Sequence, residues 1–446
     1  MSDPFSIVAA ARDAGARTAL AIGERRYTFA ELAERTRARL DTLDVGTGAG
    51  APCVLVGSNT LDTLVTLYAL LERRVPALLV PPKLTAPERA RLCAAAARAD
   101  RAVDRDAAVI IYTSGTTGEP RGAVLGRSAL AASAQASAAN LGWLAEDCWL
   151  LCMPIARVGG LSIVTRCLAA RRSVALVTEF DADRFPEWVA AQRITLASVV
   201  PTMLTRVLDA HPAWTPPSHL RAVLLGGAQA PRGLLLRAAE RALPIIVTYG
   251  MTETCSQVTA TPYAARFEAA AWGAGVPLPG IDVRTAGGRV EVKGPVLMSG
   301  YWSEAPLPPG AWFATGDLGE IDARGCLHVH ARRVDLIVTG GENAYPAEVE
   351  RALEAFPGIA AAGVFGVPDD VWGQTVAAAL VAERDPPPDA ELLDYLCREL
   401  APHKRPRQVC YVARLPQTPA GKLDRAALPT VANSLRPLVA RQDTVT

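Results

Sequence analysis

The chain holds 446 residues, half of them hydrophobic and a fifth charged, which excludes a disordered polymer and exceeds what one ordinary core supports. Lys plus Arg number 46 against 45 Asp plus Glu, so no net charge draws the chain toward nucleic acid or an anionic membrane, and small-molecule partners are expected. Nine cysteines, scattered from Cys53 to Cys410, form no C-x-x-C pair and read as reduced thiols of a cytoplasmic protein. The polar opening, followed by Arg12 and Asp13, does not read as a signal peptide. The uncharged stretch 128–145 is rich in Ser, Gln and Asn, so it reads as a water-facing helix rather than a membrane span.

In chain order, short β-branched or Leu-rich runs predict strands at 53–56, 77–80, 109–112, 149–153, 174–177, 197–200, 222–225 and 245–248. Amphipathic stretches at 62–71, 87–98, 201–210 and 231–242 predict helices between them, with Pro87 and Pro231 suited to a first turn. Alternation of this kind implies an α/β fold of βαβ layers with mainly parallel sheets. Beyond residue 250 the texture changes. Residues 281–293 read as a hairpin turning at Gly287–Gly288, and 312–330 as further short strands, which together make a small β-subdomain at about 272–330. From Pro346 a helix with Val349, Ala352, Leu353 and Phe356 on one face opens a separate α+β domain with strands at 362–367 and 376–381. The division expected is an N-terminal domain at 1–332, a small C-terminal domain at 333–430 and a poorly ordered tail at 431–446.

The segment Tyr-Thr-Ser-Gly-Thr-Thr-Gly-Glu-Pro-Arg-Gly at 112–122 follows an apolar strand. Gly115, Gly118 and Gly122 let amide N–H groups converge on one anion. Thr113, Ser114, Thr116 and Thr117 add hydroxyls, and Arg121 adds a fixed cationic fork. A Walker loop would need G-x-x-x-x-G-K-[ST], which is absent.

This loop resembles the signature of the acyl-adenylate-forming superfamily, which includes acyl- and aryl-CoA synthetases, peptide-synthetase adenylation domains and luciferases. Its penultimate residue there is usually Lys, where this chain has Arg121. The resemblance continues in order along nearly the whole chain. Gly226, Gly227 and Ala228, then Tyr249 and Thr252, match the family's adenine slot, in which the Tyr ring stacks on the base. Glu253 matches the carboxylate that holds Mg²⁺ against the phosphates of ATP. Asp317, in Thr-Gly-Asp, and Arg332 match the residues that reach the ribose and nucleotide, although Ala331 stands where Gly usually precedes that Arg. Gly340 and Gly341 match the strand and loop lining the pantetheine tunnel. Lys422, in Pro-Ala-Gly-Lys, matches the catalytic lysine, whose ammonium bridges the acid carboxylate and the α-phosphate.

The resemblance implies ATP, a carboxylic acid and coenzyme A as substrates and Mg²⁺ as cofactor. It also implies a C-terminal domain that rotates about Val334–Asp335 between two half-reactions, although relatives place Asp or Lys where this chain has Val334. Segments 153–162, 224–231 and 249–257 look most like those of 2-succinylbenzoate–CoA ligases of menaquinone biosynthesis. They assign Arg157, Gly160, Ser256 and Gln257 to the acid pocket. Those ligases usually have His where this chain has Arg157, and a guanidinium there suits a second carboxylate, solvent or a coenzyme A phosphate. Another aryl- or acyl-CoA ligase, or an adenylation module loading a carrier-protein thiol, are the alternatives.

Overall fold

The computed structural model describes residues 3–43, 51–97, 103–114, 120–228, 230–331, 336–416, 423–432 and 434–438. The chain divides into two compact units: Met1–Pro82, Ala99–Thr113 and Arg121–His330 form the first, and Lys83–Arg98, Ser114–Pro120 and Ala331–Thr446 the second. The segment Lys83–Arg98 therefore clusters with the C-terminal chain, although it falls within the stretch expected to form the large domain.

Two large sheets and a small one build the first unit. In the nine-stranded sheet, Ile245–Met251, Ala222–Leu225, Leu196–Val199, Cys148–Leu151, Ser173–Leu176 and Thr18–Ile22 run parallel as neighbours. Three of these six strands, Cys148–Leu151, Leu196–Val199 and Ala222–Leu225, are buried along their whole length. Continuous apolar runs are what a sheet covered on both faces requires. Antiparallel strands close the two edges: Arg25–Thr28 at one, Ser256–Ala260 and Val276–Pro277 at the other. The five-stranded sheet runs Gly300–Tyr301, Pro120–Gly126, Ala107–Ser114, Ala77–Val80, Cys53–Val56. Helix Arg127–Leu141 occupies the uncharged Ser-rich stretch, and no helix among the described residues is long and apolar enough to cross a membrane.

The hairpin Asp282–Ala286 and Arg289–Lys293 turns on Gly287 at φ 57° and Gly288 at φ 76°. Both central residues being left-handed is the condition for a tight two-residue turn that matches strand twist. This hairpin joins Phe313–Ile321 and Leu327–Ala331 in a four-stranded sheet.

In the second unit, helices Pro346–Glu354 and Asp389–Glu399 pack with a sheet centred on Ile359–Asp369 and Gly373–Ala382. Val349 and Leu353 are fully buried and Ala352 nearly so. The chain after residue 430 differs from the expected loose tail as far as it is described. Leu428 is fully buried, and Arg436–Pro437 pairs with Gln408–Tyr411, which puts Leu438 in the core. Helix Ala86–Ala97 joins this unit through charge: the Lys404 ammonium donates to Glu88 at 2.8 Å and to Glu348 at 2.9 Å. Pro87 sits in that helix's first turn, whereas Pro231 precedes helix Arg232–Glu240 as its cap.

Candidate active site

Strands Ala107–Ser114 and Pro120–Gly126 carry the two ends of the phosphate loop. Gly115, Thr116, Thr117 and Gly118 lie outside the described residues, as does the Ser114 side chain. At the near end, the Thr113 hydroxyl stands 3.4 Å from both the Arg121 carbonyl and the Glu253 carboxylate. Glu253 sits on the single turn Thr252–Thr254 that follows strand Ile245–Met251. The Tyr301 hydroxyl donates to the same Glu253 oxygen at 2.8 Å. The Arg121 guanidinium lies 3.5 Å over the Tyr301 ring and forks onto Glu304, its Nε 2.6 Å from Oε1. That fork comes first among the influences holding Arg121 in its charged form, with Tyr301 and Glu253 adding to it. Thr113 and Arg121, at the two ends of the loop, thus meet Glu253, 140 positions from Thr113, in one cluster.

The carboxyl ends of parallel strands are where an α/β sheet exposes its loops to ligands, and the next group lies there. Gly226 follows strand Ala222–Leu225, and a Cβ on it would meet the Thr248 methyl at 2.9 Å; Gly227 has φ +79°. Ala228, next in the chain, is half-buried, as is Thr252 just after strand Ile245–Met251. Tyr249 and Asp317, both buried, meet directly: the phenol donates to Asp317 Oδ2 at 2.6 Å. Thr315 orients the aspartate by accepting its backbone N–H at 3.1 Å while donating to the Val290 carbonyl. A buried carboxylate with one donor in place retains lone pairs for further hydroxyls.

In the expected acid pocket, Ser256 Oγ lies 3.5 Å from Ser162 Oγ on helix Val158–Ala170. Cys255 and Ser256 both hold left-handed backbones, at φ 51° and 97°, and any Cβ on Gly250 would strike the Ser256 carbonyl. Such strain concentrates at functional turns. Gln257 is committed differently from its neighbour: its amide nitrogen donates to Thr248 at 3.1 Å, and its buried Oε1 has no partner among the described residues. Gly160 is a packing residue, since a Cβ there would stand 2.2 Å from the Pro154 carbonyl. Arg157 is half-buried at the N-cap of helix Val158–Ala170, and its side chain does not cap it.

One residue escaped the sequence reading. Arg166, two per cent exposed, follows Ser162 by one turn on the same helical face. Its Nε and Nη2 have no hydrogen-bond partner among the described residues, and its guanidinium stands 5.8 Å from the Trp149 ring centroid. Burial pulls its pKa down to about 10. An uncompensated buried cation is costly, so it marks a place where an anion would be stabilised. The signal was present in the sequence as the one charge within Leu161–Ala170, but a helical Arg is ordinarily a solvated one.

Gly340 and Gly341 form the two-residue turn between strands Ile337–Thr339 and Glu342–Ala344, at φ 59° and 80°. A Cβ on Gly340 would meet the Trp372 ring at 2.7 Å. Both belong to the second unit. Arg332, Val334, Asp335 and Lys422 lie outside the described residues.

No group of three or more His, Cys, Asp or Glu side chains poised for a metal occurs among the described residues. Glu253 as a lone carboxylate does suit Mg²⁺, which keeps water and phosphate oxygens in most of its six positions and asks the protein for one or two carboxylates.

Sequence comparison agrees with this geometry. Residues 94–302 match the AMP-binding enzyme family and residues 348–422 the AMP-binding enzyme C-terminal domain. A 2-succinylbenzoate–CoA ligase of Bacillus cereus (strain AH820) is 35% identical over 92% of this chain and 95% of its own length. Among solved structures, o-succinylbenzoate CoA synthetase of Bacillus subtilis, bound with a product analogue, superposes with a TM-score of 0.87. It is 30% identical, over 97% of this chain and 99% of that one. The same Bacillus enzyme in complex with ATP and magnesium ion gives a TM-score of 0.68 at 31% identity, over 95% and 98% of the two chains. With the glycine-lined strand ends, the Tyr249–Asp317 pair and the Glu253 carboxylate in place, the chain belongs to the AMP-binding enzyme family, beside its acid–CoA ligases.

Proposed function

We propose that this protein is a cytoplasmic, ATP-dependent 2-succinylbenzoate–CoA ligase. The observation that carries the substrate is Arg166: a buried guanidinium whose Nε and Nη2 have no partner among the described residues, one turn from Ser162, suits an acid with a second carboxylate. The likeness in sequence and fold to ligases of that name supports the same reading. Arg157, at the mouth of the same helix, is the second candidate for that carboxylate.

In the first half-reaction, a carboxylate oxygen of the acid attacks the α-phosphorus of ATP. The bond to the bridging oxygen breaks, and pyrophosphate leaves with its electron pair. In the second, the coenzyme A thiol loses its proton and attacks the acyl carbon of the mixed anhydride, and AMP departs. Bound Mg²⁺ supplies neutralising charge to the phosphates. The chain's own residues do the rest. Glu253 offers the carboxylate for that ion. Tyr249 and Gly226–Ala228 take the adenine, and Asp317, with Arg332, takes the ribose. Thr113 to Gly118 cradle the phosphates. Lys422 holds the two reacting anions together, a task confined to the first step because charge no longer develops there in the second.

Lys422→Ala is expected to lower acid-dependent ATP–pyrophosphate exchange by about 10²–10³-fold, as for loss of one transition-state donor. Thioester formation from supplied acyl-AMP and free coenzyme A should remain near wild type. Equal loss of both half-reactions would remove Lys422 from this role, and thioester formation only on a carrier protein would favour the adenylation-module alternative.

A further inference from the structure

The cluster around Glu253 contains two residues whose arrangement the adenylation chemistry alone does not explain. Tyr301 lies on the short edge strand Gly300–Tyr301, paired with Ala123 and Val124. Backbone bonds fix this edge from both sides: the Met298 N–H donates to the Glu253 carbonyl at 2.8 Å, and the Trp302 N–H to the Gly122 carbonyl at 2.7 Å. The phenol therefore stands between the far end of the phosphate loop and the carboxylate. Its hydroxyl donates to Glu253 Oε1, its ring carries Arg121 at 3.5 Å, and Arg121 is forked by Glu304. An Arg serves this arrangement where Lys would not, because only a planar guanidinium both stacks on a ring and forks onto a carboxylate.

From this geometry we infer that Arg121 and Tyr301 are positioning residues for Glu253. Arg121, clamped by Glu304, seats the Tyr301 ring, and the Tyr301 hydroxyl occupies one oxygen of Glu253 so that the other is presented to the metal. This changes the task expected of Arg121 from direct contact with phosphate to indirect control of the metal carboxylate. It rests on the reading of Glu253 as the carboxylate that serves Mg²⁺ with ATP.

The test is calorimetric titration of nucleotide into the intact protein, with MgATP and with ATP in excess chelator. Tyr301→Phe keeps the ring and removes the hydroxyl. It should weaken MgATP binding roughly tenfold, the scale of one hydrogen bond to a charged group, and leave metal-free ATP binding unchanged. Arg121→Gln should act in the same metal-dependent way, and the double variant should be no weaker than the weaker single one. Glu304→Gln, which frees Arg121 without touching Tyr301, should follow the same pattern and covers the case of a misfolded Tyr301 variant. Additive effects, or loss of metal-free ATP binding on Arg121→Gln, would show direct phosphate contact and overturn the inference, as would an unaltered Tyr301→Phe. If Glu253→Gln itself leaves MgATP binding intact, the failure belongs to the underlying site assignment.

Discussion

At the scale of single residues, the site contrasts charges that are paired with one that is not. Arg221, also sequestered, is forked by Asp147 and raised in pKa, whereas Arg166 faces burial alone and is lowered. A structural arginine would resemble the first, and under the proposed function Arg166 is held for the acid rather than for the fold. Arg166→Met retains most of the apolar stem and should raise KM for 2-succinylbenzoate roughly 10–100-fold, the worth of a charge-assisted bond, with KM for ATP unchanged. The melting temperature should hold or rise, since an unpaired buried charge is removed. Equal rises in both KM values, or a marked loss of stability, would make Arg166 structural. Glu253, Asp317 and the phosphate-loop residues stand out in the sequence because each falls within a short string whose spacing the proposed chemistry dictates. Arg166 does not, because its meaning lies in the absence of partners contributed by distant segments. Nor does Tyr301, whose hydroxyl reaches Glu253 across 48 positions from a strand paired with Ala123 and Val124.

At the scale of elements, strand positions were legible where burial on both faces demanded an apolar run, and Ala77–Val80 and Ala222–Leu225 have the expected bounds, as does the less buried edge strand Cys53–Val56. The hairpin at Gly287–Gly288 was legible for a different reason, since two left-handed residues in succession favour glycine. What escaped was the allegiance of helix Ala86–Ala97. Its charges do not announce that Glu88 finds its partner 316 positions later. Burial pushes the Glu88 carboxyl up, but the Lys404 ammonium and the hydrogen bonds of Thr85 and Ala401 outweigh it and leave the pKa below 4.5. A depressed carboxylate stabilises the fold above its unfolded pKa and loses that contribution as pH falls through the folded one. The second unit should therefore keep this contribution at neutral pH and shed it progressively below pH 4.5. Lys404→Met, leaving the buried Glu88 carboxylate and the half-buried Glu348 carboxylate without their shared cation, should cost about 3–5 kcal/mol in chemical denaturation at pH 7. The cost should shrink as the carboxylates protonate. A cost under about 1 kcal/mol at pH 7, the size of an exposed pair, would show that the triad is a surface decoration.

At the scale of the whole molecule, the first unit carries the residues proposed for adenine, ribose and acid, while the second carries the Gly340–Gly341 turn and the segment proposed to supply the catalytic lysine. That distribution matches a reaction in two half-steps with different demands, one needing a cation between two anions and the other a passage for a thiol. The class of reaction was legible because phosphate, ribose and metal recognition each leave a local string. The acid was less so, since the pocket proposed for it draws on a helix face, a strained turn and a buried guanidinium that no contiguous string contains. The most direct test is therefore coenzyme A-dependent AMP release, measured as kcat/KM across 2-succinylbenzoate, benzoate and medium-chain fatty acids at saturating MgATP. The account predicts that 2-succinylbenzoate exceeds the monocarboxylic acids by at least about 10²-fold, the discrimination expected when a buried charge is left unpaired. A benzoate or fatty acid turned over orders of magnitude faster than 2-succinylbenzoate would contradict it.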